Sequence, residues 1–241
     1  MSQGIKVWIG LALALGVSAL LVVVAIGRGR SGAGGATGPG TAGIPNIVVN
    51  DGSAPSDDPL RPDYRVEELT LPTFALTDQD GKPVTSEVFT GHVTVVSFFF
   101  TRCTFICPAM TGTMLKLADR LKDTPARYLS FSVDPEGDTP AVLKKYAADV
   151  GADTARWTFA TGSKDVVWNM LREGMKWGIE ARPDERVQLA GGGTMDNIRH
   201  PGWFALIGPD GRVLEIYDSS SDEKQEELVT RVRAVVQRMG K

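Results

Sequence analysis

The chain has 241 residues, 42% hydrophobic and 23% charged, with 26 Lys and Arg against 29 Asp and Glu for a formal net charge of -3. That length holds one well-cored domain plus attachments, and the mixed charge, without a basic block, argues against nucleic acid as a partner. Two cysteines are too few for a disulfide framework, so the pair is a local redox couple, a metal site or an accident.

Val7 to Ile26 is a run of 20 uncharged residues rich in Leu, Val, Ala and Ile. It matches the roughly 20 apolar residues that cross a bilayer as a helix and exceeds the apolar core of about 7–15 residues of a cleaved signal peptide. A retained single-pass anchor is expected. Lys6 and the amino terminus flank it on one side and Arg28 and Arg30 on the other, so charge does not set its orientation. The span leaves no room before it for an organelle transit peptide, which favours a bacterial inner membrane with the following domain in the periplasm. Gly27 to about Pro62 is dominated by Gly, Ala, Ser, Thr and Pro and reads as a flexible linker reaching about 30–35 Å. The expected layout is therefore an anchor over 1–27, a linker over 28–62 and a globular domain over 63–241.

Within that domain Phe74–Thr77 and Lys82–Thr85 flank Asp78–Gly81 as a hairpin. Val93 to Phe100 reads as a buried strand. Thr101-Arg102-Cys103-Thr104-Phe105-Ile106-Cys107-Pro108 follows, with both cysteines, and Pro108 at the favoured first position opens a helix to about Leu121. Met110, Met114, Leu117, Ala118 and Leu121 keep helical spacing and read as core. Arg127–Val133 is a second strand, and Thr139 followed by Pro140 starts a helix to about Val150. Trp157–Ala160 is a short strand, and Ser163 caps a helix to about Glu173. Ala181 to Arg199, with Gly191-Gly192-Gly193 inside it, is irregular and reads as an inserted hairpin or loop. Trp203–Ile207 and Arg212–Tyr217 flank Pro209-Asp210-Gly211 as a hairpin. Ser220 and Glu223 form a capping box for a last helix with one apolar face from Leu228 to Met239.

Alternating strands and helices with a terminal hairpin and helix predict an α/β domain with a central mixed sheet. A cysteine pair at the carboxyl end of the first core strand, entering a helix, is the layout of the thioredoxin architecture. The spacing is C-x-x-x-C rather than C-x-x-C, so the fold follows more firmly than dithiol exchange does. Thiols at a helix amino terminus are biased toward thiolate, and Arg102 is placed to add to that bias. In a helical segment, residues four apart are about 6 Å apart, so the pair can close reversibly or hold one ion jointly.

A further ligand has to choose between these chemistries. His92, before the buried strand at its far end, reads as a solvated loop histidine. His200 precedes the strand Trp203–Ile207, and in thioredoxin-like folds the loop entering that strand passes over the cysteine turn. Two thiolates and one imidazole suit copper. Zinc competes, but a closed zinc site takes four ligands and no fourth Cys or His is placed for it. Met195 and Asp196 are weaker candidates for a supporting role.

Four features together make the chain resemble the Sco/SenC family of membrane-anchored copper-binding proteins with a thioredoxin-like fold. They are Thr101-x-Cys103-x-x-x-Cys107-Pro108, the stretch Ser132 to Pro140 with its D-P-x-x-D-T-P core, His200, and Leu206 to Gly211 after it. The likeness runs from about Leu71 to Met239. It implies Cys103, Cys107 and His200 as ligands of Cu(I), Cu(II) or both. It also implies delivery of copper to, or thiol reduction at, the binuclear copper site in subunit II of cytochrome c oxidase. Another copper chaperone fits as the source. In an oxidising compartment the empty pair tends toward disulfide, so a periplasmic thiol reductant is expected as a further partner. The sequence departs from the family beside the histidine, where members commonly carry Asp before it and Ser or similar after it; here the neighbours are Arg199 and Pro201. Asp134 to Pro140 reads as a turn and helix cap, with Asp134 in a supporting role. The competing function is a thiol–disulfide oxidoreductase acting on exported proteins, which needs both cysteines but not His200. A thiol peroxidase using Thr101 and Arg102 gains no support from the four-residue spacing.

Overall fold

The computed structural model describes residues 65–189 and 192–240. The expected membrane-spanning helix and the whole expected linker lie outside the described residues. Among the described residues no helix is long and apolar enough to cross a membrane.

The strands are β1 (Ala75–Asp78), β2 (Pro83–Thr85), β3 (Thr94–Phe99), β4 (Arg127–Ser132), β5 (Trp157–Thr161), β6 (Glu180–Gln188), β7 (Thr194–Arg199), β8 (Trp203–Ile207) and β9 (Val213–Asp218). The helices are α1 (Ile106–Arg120), α2 (Pro140–Val150), α3 (Lys164–Asn169) and α4 (Asp222–Met239). Seven strands form one mixed sheet in the order β2-β1-β5-β4-β3-β8-β9. β3, β4 and β5 run parallel, whereas β8 runs antiparallel to β3 and β9 to β8. The α/β class and central mixed sheet expected from the strand–helix alternation are both present.

β3 lies inside this sheet, between β4 and β8, and shows no polar face: Thr94, Val95, Val96, Ser97, Phe98 and Phe99 are all buried. Its Ser97 hydroxyl bonds Ser130 on β4 at 2.7 Å, and Ser130 accepts from Trp157 Nε1 on β5 at 2.9 Å. These three side chains are thus paired across three strands, which offsets their desolvation; the buried Thr94 hydroxyl has no such partner. Phe131 packs its ring between Phe74 at 5.2 Å and Phe98 at 5.4 Å.

The topology decides where a site can lie. Parallel strands end at one edge, so the segments leaving β3 and β4 emerge side by side, with Val133 N–H donating to Phe99 O at 2.8 Å. An antiparallel β8 begins at that same edge, bringing residues 200–202 beside them.

Several local details differ from the sequence expectations. α1 begins at Ile106, so Cys107 lies inside its first turn and Pro108 sits in the third helical position, still within the turn whose N–H groups have no intrahelical partner. Ser163 stands at the start of α3 without a side-chain capping bond, and a wider π turn over Met170–Gly174 follows Asn169. α4 is capped one residue later than expected: Ser221 accepts from Lys224 N–H, while Ser220 is bound to Asp218. The stretch Ala181–Arg199, expected as an inserted hairpin or loop, is a hairpin, β6–β7, more regular than its sequence suggests: a separate two-stranded sheet with a bulge between Arg182 and Arg186. Its strands carry alternating charges paired with each other, Arg186 with Asp196 and Arg199 with Glu185, so apolar periodicity gave no strand signal.

Phe131→Ala removes a fully buried ring with two aromatic neighbours. It should destabilise the chain by about 3–5 kcal/mol, read as a lower urea midpoint without a change in slope.

Candidate metal centre

β3 delivers the chain to Phe100, and a turn over residues 101–105 carries it into α1. Cys103 N–H closes that turn on Phe100 O at 3.2 Å. Cys103 lies in the turn and Cys107 in the first helical turn; both are free thiols and both are buried, Cys107 the more deeply.

The two neighbouring thiols act on each other's ionisation and are unequal. Cys103 is held down to about 6, first by the thiol of Cys107 and then by the backbone N–H groups of Cys107, Phe105 and Ile106, against the opposing effect of burial. These N–H groups belong to the start of α1, where backbone donors have no intrahelical partner. Cys107 moves the opposite way, pushed up by the hydrogen-bond interaction of its thiol with Cys103, by burial and by the neighbouring Cys103 charge. Near neutral pH the site is therefore one thiolate, Cys103, hydrogen-bonded by one thiol, Cys107.

Arg102 does not supply that bias. Its guanidinium is turned to Asp134, with Nε at 2.8 Å and a terminal nitrogen at 2.6 Å from the same carboxylate oxygen. The group lies against Gly137, where any Cβ would come within 2.3 Å of Arg102 Nε. A side chain at 137 would push the guanidinium off the loop. Asp138, fully buried, accepts from Thr101 N–H, from the Thr101 hydroxyl and from the Ser132 hydroxyl. Burial raises the Asp138 carboxyl despite these donors. The stretch after β4 thus grips the residues before Cys103 at two points, while Thr139 caps α2 by accepting from Val142 N–H. The turn-and-cap reading holds for Thr139 and Pro140, and Asp134 has the supporting contact expected of it. The role of Asp138 escapes a linear reading, because its partner Thr101 is 37 positions away. Tyr146 was likewise not singled out; its hydroxyl pairs with Thr111 on α1 at 2.7 Å.

His200 stands at the same sheet edge. The loop it heads packs on α1, since a Cβ on Gly202 would fall 2.1 Å from Ile106 Cδ1 and 3.6 Å from Met110 Sδ. The imidazole lies edge-on to Phe100 with centroids 6.2 Å apart. Its Nδ1 pairs with Pro201 O at 3.0 Å, and its Nε2 is buried with no hydrogen-bond partner. Burial drops its pKa to about 4, so the ring is neutral. Among the described residues no group of three or more His, Cys, Asp or Glu side chains is gathered closely enough to hold a metal ion. The structure therefore brings the two thiols together and places His200 one packed loop away. His92 is at the opposite end of β3, half-buried at most, as a loop histidine should be. Met110 and Met114 are core residues, and Asp196 is taken up by Arg186 on the hairpin.

The donor set fits a soft metal. A preformed thiolate, a second thiol and a neutral imidazole with an unused nitrogen are the ligand types that select copper over hard cations. The orphaned Nε2 is the telling atom, because an unpaired buried polar nitrogen is costly unless something uses it.

A model of the SCO1/SenC family matches residues 62–237. The SCO1 protein homolog of Bacillus subtilis is 35% identical over 180 residues, covering 73% of this chain and 84% of that protein. A protein of Stutzerimonas stutzeri named for copper binding is 29% identical, covering 60% of this chain and 67% of its own length. Among solved structures, BsSco superposes with a TM-score of 0.58 at 33% identity, covering 70% of this chain and 94% of that one. That structure is described as showing a disulfide switch in a member of the Sco family of cytochrome c oxidase assembly proteins.

In the reduced, metal-free chain the alkylation rate of Cys103 by iodoacetamide should rise through a midpoint near pH 6, three units below an ordinary thiol, and fall as Cys103 is protonated below it. Cys107 should react only after Cys103. Peptide mass spectrometry across a pH series reads both.

Proposed function

The chain belongs to the SCO1/SenC family, and from that premise we propose that it is a copper metallochaperone with a thioredoxin-like domain. Cys103, Cys107 and His200 hold the copper, and the acceptor is the binuclear copper site in subunit II of cytochrome c oxidase. The observation that carries this reading is the pairing of a ready thiolate at Cys103 with an unpartnered, buried, neutral Nε2 on His200 at the same sheet edge. Tethering to a bacterial inner membrane by Val7–Ile26, with the domain in the periplasm, is part of the same proposal, because a tether raises the encounter rate with a membrane-bound oxidase.

The protonation states specify how copper enters. Cys103 is already a thiolate at neutral pH and His200 is already neutral, so neither loses a proton on loading. Cys107 does, since its proton is held tightly by the neighbouring sulfur. Metal uptake releases the protons that its ligands carry, here about one per copper. The imidazole turns its Nε2 to the metal while Nδ1 keeps Pro201 O as the group that fixes the ring's tautomer. Soft thiolates favour Cu(I), and the imidazole extends the site to Cu(II). Copper leaves by stepwise ligand exchange with thiols and histidines of the acceptor. A periplasmic reductant keeps the pair as dithiol, and a second copper chaperone supplies the metal.

The second reading is a thiol–disulfide oxidoreductase for exported proteins. One observation favours it: a low-pKa sulfur beside a high-pKa sulfur is also the asymmetry that dithiol exchange uses.

Calorimetric titration with Cu(I) and Cu(II), run in buffers of different ionisation enthalpy, separates the two readings. The copper reading expects one copper bound with release of about one proton near pH 7. Cys103→Ser or Cys107→Ser should abolish tight binding, and His200→Ala should weaken Cu(II) binding at least tenfold. A chain that binds no copper, and reduces protein disulfides equally well with or without His200, would establish the oxidoreductase instead.

A further inference from the structure

Phe105, between the two cysteines, is 70% exposed, whereas Phe98, Phe99, Phe100 and Phe131 are buried. Its position is fixed by the site itself. Its backbone, at φ -105 and ψ -94, lies just outside the helix, between the two cysteines. The next residue, Ile106, turns the other way and packs on Gly202. The ring therefore stands outward, beside the one sulfur that is a ready nucleophile and ligand.

Its surroundings are equally unusual for a protein surface. From Cys103 to Leu115 there is no charged residue, and Thr104, Pro108 and Ala109 are exposed with it. The nearest charge in sequence, Arg102, is neutralised by Asp134. The start of α1 has no acidic residue in its first turn, a place where Asp and Glu are otherwise favoured. An uncharged patch centred on an aromatic ring has the composition of an interface core, where charge is depleted and aromatics are enriched.

We propose that this Phe105-centred rim, with Thr104, Pro108 and Ala109, is the docking surface for the protein that takes copper from Cys103. The occupant is a folded domain that presents its own thiolate or imidazole ligands from an apolar, uncharged surface. Geometry makes the contact unavoidable. Two sulfurs sharing one metal ion stand no more than about 4.6 Å apart, twice a metal–thiolate bond of about 2.3 Å. Cys103 is only 8% exposed, so a partner ligand that comes this close has to bring its surface over the ring two residues away. In the transfer step a partner Cu–S or Cu–N bond forms as the Cu–Cys103 bond breaks, with no change in the oxidation state of copper. A small chelator reaches the metal without covering the ring. The inference rests on the copper reading of Cys103 and adds the surface that recognises the acceptor.

The test compares two exits for the same copper. The copper-loaded full chain, wild type and Phe105→Ser, donates either to the copper-binding domain of cytochrome c oxidase subunit II or to bathocuproine disulfonate. The ratio of protein transfer rate to chelator removal rate should fall at least tenfold in Phe105→Ser and recover in Phe105→Tyr. An unchanged ratio in Phe105→Ser overturns the docking surface alone and leaves the copper site standing. Equal losses in both exits overturn it as well, by assigning Phe105 to the shape of the metal site. A copper-loaded wild type that gives nothing to the subunit II domain overturns both the acceptor and the surface. Self-association that Phe105→Ser dissolves while transfer is unaffected would assign the patch to a second copy of this chain.

Discussion

One proton shared by two sulfurs sets the character of this protein. Cys103 and Cys107 lie on either side of the start of α1, close enough for one to donate to the other. The helix contributes N–H groups on the Cys103 side only, so the proton settles on Cys107. That asymmetry needs the turn over 101–105 to keep its shape, and the surrounding structure serves that end. The sheet ends β3 and β4 at one edge, Asp138 takes both the N–H and the hydroxyl of Thr101, and Asp134 holds Arg102 down over a glycine. A buried carboxylate that satisfies three donors is expensive to disturb, so the loop is held from outside rather than by its own short contacts.

His200 is governed by a different balance. Its ring is neutral, packed on Phe100 and satisfied on one nitrogen only. A buried neutral imidazole needs no deprotonation to bind a soft ion, but its free nitrogen has not met the thiols. The loop that carries it joins the charge-laced hairpin β6–β7 on one side and the buried strand β8 on the other. The proposed copper site, with His200 as a ligand, would ask for a local rearrangement of residues 199–202 against α1, not for a change in the sheet. The Arg199–Glu185 pair ties that loop to the hairpin. Such half-exposed pairs contribute little to stability, so they restrain the loop without locking it.

Much of this was legible in the sequence, for identifiable reasons. Apolar runs and turn residues placed β3, β4, β8 and β9 within a residue or two, and the strand–turn–helix order placed the cysteine pair at a sheet edge. The hairpin β6–β7 was blurred because its strands alternate opposite charges rather than apolar and polar residues. The start of α1 was set two residues late because Pro108 reads as a first helical position and occupies the third. Arg102 looked like an activator of Cys103 from adjacency alone; only the fold shows Asp134 claiming it. Asp138 and Gly137 act across the gap between two strand ends, and no periodicity records a contact of that kind. The exposure of Phe105 was equally invisible, since it lies in a turn that no periodicity describes.

The account turns on whether one copper ion draws both sulfurs and the orphaned imidazole nitrogen together. Copper K-edge X-ray absorption on the fully loaded chain measures that most directly. The prediction is a first shell of two sulfur scatterers and one imidazole nitrogen, with the nitrogen lost in His200→Ala and the sulfurs retained. A shell of nitrogen and oxygen alone, or one in which His200→Ala changes nothing, would contradict it.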